Sequence, residues 1–213
     1  MTTATETRTD ITATVRGDAL RDALAASLAF ADNSTLATAG VMFQIKGPSV
    51  ILAATDRYRL IEISVPIVAA VGDAMEEMAR ISYDDAKTLL ATLKAAKLRG
   101  YSVNLTVEGH SLSVSVLGAS QIISLDPSVA GRAIPYVHLF PMFLADVEDG
   151  VPSPYVNLNP AYLSDFAKVA GKGNPITLRF SGDGKVISVE SVASKCNDLY
   201  TWRGLLMPVR VAS

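Results

Sequence analysis

The chain of 213 residues has one cysteine, one tryptophan and two histidines, and each scarcity removes a class of function. The lone thiol, Cys196 in "SKCND", excludes an intrachain disulfide framework and suits a reducing compartment. His110 and His138 are the only imidazoles; one falls in a predicted hairpin turn, the other in a proline-rich stretch, and nothing pairs either with a nucleophile. "GKGNP" lacks the Gly-Lys-Ser/Thr ending that cradles a phosphate, and "DVEDG" misses the spacing of a calcium loop. The expectation is a protein that is not an enzyme and needs no cofactor or metal. No apolar run reaches the roughly 18 residues of a membrane span, so no membrane role is expected. The opening "MTTATETRTD" is Thr-rich without an apolar segment, and residues 1–10 read as a disordered tail rather than a signal peptide.

What is present is the material of a core. Hydrophobic residues make up 49% and charged residues 19%, the balance of a folded chain. A net charge of −2 argues against a surface coated in basic residues, yet leaves room for a basic face on an acidic body.

One local grammar appears three times: a short strand, a capping residue, a helix, then strands. In "ITATVRGDALRDALAASLAF", Ile11, Ala13 and Val15 alternate, Asp18 is the expected cap, and Leu20, Leu24, Ser27 and Leu28 recur at helical spacing. In "ARISYDDAKTLLATLKAAK", Asp84 or Asp85 is the expected cap, and Leu89, Leu90 and Leu93 form the apolar stripe. In "YVNLNPAYLSDFAKVAG", Asn159 caps, Pro160 takes the first helical position and Gly171 stops the helix. Strand-like runs joined by short turns follow each helix. Each unit therefore reads β-α-β-β-β, with caps roughly 70 residues apart, as in duplicated halves of a domain.

Between the second and third units the chain changes character. Pro127, Pro135, Pro141, Pro152 and Pro154 fall there, with Pro160 just beyond, out of ten prolines in all. The expected organisation is a complete two-unit domain over 11–126, a connector over 127–155, and an abbreviated second domain over 156–213 with one recognisable unit.

One further stretch needs a reason beyond its fold. "ILAATDRYRLIEISV" (51–65) places two arginines, an aspartate and a tyrosine between two strands, where Asn-Gly would turn the chain more simply.

Four segments carry a resemblance. "AATDRYRL", "GRAIPYVHLFP", "VNLNPAYLSDFAKV" and "RGLLMPVRV" resemble, in order, four stretches of the DNA polymerase III beta sliding clamps of bacteria, and the likeness spans nearly all of the chain after residue 10. Arg57 and Tyr58 stand where the family has glycine and histidine. The length is that of a stripped-down, phage-encoded version. The resemblance implies an α+β DNA-clamp (processivity-fold) architecture of β-α-β-β-β units, with helices lining a ring and sheets outside. It implies a replication processivity factor in the cytoplasm of a bacterial or phage-infected cell. Such a ring encircles double-stranded DNA without reading its sequence, and tethers a DNA polymerase and a clamp loader through short linear peptides. Rings of the family hold twelve units: three units per chain imply four chains, and a fourth unit hidden in 141–155 implies three.

Residue by residue, the implied peptide pocket takes Thr55, Arg59 and Leu60 from the loop and Ile134, His138 and Leu139 from the connector. Leu206, Met207, Pro208, Val209 and Arg210 complete it from the C-terminal segment. The implied DNA-facing cations are Arg21, Lys87, Lys94, Lys97, Arg99, Lys168 and Lys172, with Asp22 and Asp165 on the same polar faces. The rival expectation is a clamp-like decoy or accessory protein that binds clamp partners without encircling DNA.

Overall fold

The computed structural model describes residues 10–34, 39–96, 100–126, 156–180, 185–191 and 199–209. Eleven strands and three helices lie within them. The first unit is β1 (Asp10–Arg16), α1 (Gly17–Phe30), β2 (Val41–Lys46), β3 (Ser49–Thr55) and β4 (Arg59–Gly72). The second is β5 (Ala79–Ile81), α2 (Tyr83–Ala95), β6 (Ser102–Glu108), β7 (Ser111–Val116) and β8 (Ala119–Ser124). The third is α3 (Pro160–Ala170), β9 (Ile176–Phe180), β10 (Ile187–Ser191) and β11 (Thr201–Leu206).

The first two units exchange their leading strands. β5 pairs with β2 of the first unit, while β1 pairs with β6 of the second, Ala13 facing Leu105. Each sheet therefore takes strands from both repeats. β4 is the seam: it pairs with β3 through its first half and with β1 through its second. The third unit joins the same seam, because β11 adds antiparallel to β4 with Leu205 facing Leu60 and Leu206 facing Arg59.

Alternation decides which faces are buried. Ile11, Ala13 and Val15 of β1 lie in the core with Leu20 and Leu24 of α1 and Leu89 and Leu93 of α2. Each such large side chain contributes about 1.5–3 kcal/mol of transfer free energy. Phe30 at the end of α1 meets Phe166 of α3 edge-on, their ring centres 4.7 Å apart, and Phe166 stacks on Trp202 at 6.0 Å. That aromatic run carries the core from the first unit into the third.

Gly204 makes the junction possible. A β-carbon there would sit 2.2 Å from a ring carbon of Phe166, so glycine is what lets the ring settle on β11.

Three local expectations are corrected. α1 begins at Gly17 with Arg16 in the cap position; Asp18 lies inside the first turn, where Arg16 donates to it at 2.9 Å. α2 is capped by Ser82, whose hydroxyl accepts from the Asp85 amide at 3.1 Å and donates to the Asp85 carboxylate at 2.7 Å. Asp84 and Asp85 instead place charge in the first turn, where the helix dipole favours it. Residues 156–159 form no strand ahead of α3, so the third unit lacks its leading strand among the described residues. The third cap stands as read: the Asn159 side chain accepts from the Ala161 amide at 3.0 Å, Pro160 follows, and Gly171 ends the helix at φ 84°.

Candidate functional site

The turn after β3 is built from its own side chains. The Thr55 hydroxyl donates to the Arg59 carbonyl at 2.7 Å and accepts from the Arg57 amide at 3.0 Å. The Asp56 carboxylate accepts from the amides of Tyr58 and Arg59, both at 3.0 Å. Arg57 holds a left-handed φ of 78°, a conformation that favours glycine, and its side chain is exposed. Tight bonding of Thr55 and Asp56 holds the turn in shape, and the shape turns Tyr58 outward, 54% exposed.

Arg59 points the other way. Its guanidinium carbon lies 4.8 Å from the ring centre of Phe30 and 4.6 Å from that of Tyr162, between α1 and α3. Its nitrogens donate to the Asp56 carboxylate at 2.9 Å, to the Ala29 carbonyl at 3.0 Å and to the Asp165 carboxylate. Burial works against the charged form of Arg59, but the hydrogen bonds and charges of Asp165 and Asp56 outweigh it and raise the pKa above its ordinary value. Burial likewise opposes ionisation of Asp165. Lys168, at 2.7 Å, and Arg59 overcome it and hold that carboxyl below its usual range.

The end of β11 closes over this turn. The Met207 amide donates to the Tyr58 carbonyl at 2.8 Å, and the Val209 amide donates to the Asn157 carbonyl at 2.8 Å. Met207 is 41% and Val209 45% exposed, with Pro208 half-buried between them. Tyr58 stacks on Tyr162 with ring centres 6.0 Å apart. Tyr58, Tyr162, Met207 and Val209 thus gather at one rim, supplied by β4's turn, α3 and the strap after β11. Such a rim offers apolar area with polar tips, the surface chemistry that receives an apolar peptide.

The expected pocket residues divide accordingly. Met207, Pro208 and Val209 lie at the rim; Thr55 braces the turn; Leu60 and Leu206 are buried in the floor. Arg59 is enclosed by ion pairs and rings. Ile134, His138, Leu139 and Arg210 lie outside the described residues. Tyr58 and Tyr162 were not among the expected pocket residues. The available signal was an aromatic at the exposed tip of a turn, and another one helical turn after the Asn159 cap.

The cations also divide. α1 packs against both α2 and α3. Lys87 and Lys94 are exposed on α2, opposite buried Leu89 and Leu93, and Lys172 is exposed beyond α3. Arg21 is paired with Asp22 at 2.7 Å, and Lys168 with Asp165. Lys97 and Arg99 lie outside the described residues. An open cleft of about 530 Å³ between α1 and α3, lined by Asp22, Ala25, Ala29, Asp165, Lys168 and Asn174, carries both signs of charge. Among the described residues no cluster of three His, Cys, Asp or Glu side chains could hold a metal ion, and no helix is long and apolar enough to cross a membrane.

No protein-family model and no curated protein sequence matches the chain. Solved structures do. The DNA polymerase III beta subunit of Thermotoga maritima superimposes with a TM-score of 0.66 at 15% identity, over 95% of this chain and 65% of that one. The Helicobacter pylori beta clamp bound to a DNA ligase peptide matches with a TM-score of 0.64 at 11% identity, over 95% and 67% of the two chains. The chain thus has the α+β fold of the beta clamps and spans about two thirds of their length.

Proposed function

We propose that the chain is a non-catalytic sliding clamp that closes a ring of three or four copies around duplex DNA. In that role it tethers a DNA polymerase and its loader in the cytoplasm of a bacterial or phage-infected cell. Its organisation is a two-unit domain over 11–126, a connector over 127–155 and an abbreviated domain over 156–213. The observation that carries the proposal is the seam between β4 and β11, which brings Met207 against the Tyr58 turn within a clamp fold. Two or three apolar anchors of a partner peptide at about 1.5–3 kcal/mol each, less ordering costs, leave affinity on the order of micromolar. Affinity of that order lets partners exchange. Exposed Lys87, Lys94 and Lys172 supply phosphate contacts without reading bases.

A second reading, a clamp-like protein that binds clamp partners without encircling DNA, draws on one observation. Asp22 and Asp165 neutralise Arg21 and Lys168, two of the five described candidate cations. The native mass across a range of concentrations decides between them. A discrete trimer or tetramer supports the ring, whereas a monomer throughout removes it.

A further inference from the structure

We propose that Arg59 is a positioning residue that couples the seating of α3 to the shape of the recognition rim. Its value to function rests on the reading of Tyr58, Tyr162, Met207 and Val209 as that rim. The coupling itself stands on geometry alone.

The Arg59 side chain touches all three parts of the junction. From β4 it braces its own turn through Asp56, reaches the last turn of α1 at the Ala29 carbonyl and the Phe30 ring, and grips α3 through Asp165 and Tyr162. Its side chain is only 11% exposed, and the Asp56 and Asp165 carboxylates are 20% and 19% exposed. A planar cation with five donors between two rings and two carboxylates is a fixed object, because each contact restricts the same plane. Tyr162 is the hinge of the coupling: one ring lies over the guanidinium and also stacks on Tyr58 at the rim. Movement of α3 away from Arg59 therefore removes the support behind Tyr58. It also shifts Asn157, just before α3, whose carbonyl holds the Val209 amide. A peptide that fits the rim only when the tyrosines are stacked will favour the seated state, and weakening the seat will lower its affinity without touching a contact residue.

The test compares Arg59→Met, Arg59→Lys and Asp165→Asn in the full chain by amide hydrogen exchange. A brace confined to its own turn would alter exchange from Thr55 to Leu60 and nowhere else. The coupling predicts exchange faster by about tenfold in α3 and at Met207 and Val209 in Arg59→Met, with β6 and β7 unchanged. Arg59→Lys, which keeps the charge but loses the flat fork, should fall between the two. Asp165→Asn leaves the Asp56 brace in place, and should loosen α3 and the strap even if Arg59→Met fails to fold. Unaltered exchange in α3 and at Met207 and Val209 in Asp165→Asn overturns the proposal. The DNA ligase peptide bound by the Helicobacter clamp, labelled with fluorescein, serves as a separate probe. Failure of the wild-type chain to bind it counts against the rim as a recognition surface, while the exchange pattern still decides the coupling.

Discussion

The Met207 amide donates to the Tyr58 carbonyl at 2.8 Å, so the strap after β11 is pinned to the turn by backbone while both side chains face out. Contact and support can therefore be separated. Tyr58→Ala and Met207→Glu leave that bond intact; Met207→Glu should change stability by no more than about 0.5 kcal/mol, and Tyr58→Ala by about 0.5–1.5 kcal/mol, the loss of its stack on Tyr162. If the rim receives apolar peptides, each should weaken binding by about tenfold or more, roughly 1.4 kcal/mol. Fluorescence polarisation against a clamp-binding peptide, with a thermal melt alongside, checks both. Unchanged affinity in the double variant would remove the rim from the site.

Gly204→Ala tests the aromatic run behind the rim. The added carbon would stand 2.2 Å from Phe166 and 3.0 Å from the Leu60 carbonyl, one neighbour a packed ring and the other backbone. Overpacking of this kind costs about 1–3 kcal/mol. Trp202, the only tryptophan, stacks on Phe166, so its emission should shift to the red as the ring is displaced. A melting temperature equal to wild type, with unshifted emission, would mean that α3 moves aside freely.

Arg57 shows how much of the site could be read beforehand. The resemblance marked it as an arginine in a glycine position, and the backbone there has a φ of 78°. Left-handed geometry costs a non-glycine residue about 1–2 kcal/mol, while glycine adds unfolded-state entropy worth about 0.5–1 kcal/mol. Arg57→Gly should therefore be neutral or stabilising by up to about 1.5 kcal/mol in urea denaturation. A loss above that would assign the exposed guanidinium an interaction of its own.

Periodicity exposed the repeats because alternating Ile11, Ala13 and Val15 and the leucine stripes are local signals. Exchange of β1 and β5 between units is a long-range pairing, and no local pattern encodes it. The cap of α2 was misplaced by two or three residues because Ser82 and Asp85 are both capping types, and only geometry assigns the roles. Arg59 is expected at the peptide because the resemblance carries it over with Thr55 and Leu60. Asp165 and Tyr162, which enclose it, come from more than a hundred residues away, so no local window could show the site closed.

Acid should loosen the α3 junction. Asp165 is held below its ordinary pKa in the folded chain, so it binds fewer protons folded than unfolded. Its stabilising contribution is present above the unfolded value of about 3.9 and is lost as pH falls through the folded one. Arg59 from β4 and Lys168 on its own helix face it, and Asp22 of α1 shares the adjoining cleft. Asp18, also lowered against burial by Arg16, acts in the same direction on α1. Urea midpoints taken from about pH 6 down to pH 3 should fall less steeply in Asp165→Asn than in wild type. Parallel curves would show that Asp165 carries no part of the acid sensitivity.

Contact with DNA should depend on the cations that have no ion pair among the described residues and not on the paired ones. Lys87 and Lys94 are exposed on one helix, while Arg21 already spends its charge on Asp22. Each phosphate contact contributes about 0.9 to the slope of log K against log salt, so Lys87→Gln with Lys94→Gln should reduce that slope by about 2. Arg21→Gln should change it by much less, since the carboxylate beside it offsets the charge. The same loss on two unrelated duplexes would mark the contacts as backbone contacts, as sliding requires. An equal effect from Arg21→Gln and from each lysine would mean that the Asp22 pair opens on DNA, and the neutralised faces of α1 and α3 would then count toward a basic lumen. No effect from either lysine would leave α2 without a DNA role and favour the reading in which the chain binds clamp partners without encircling the duplex.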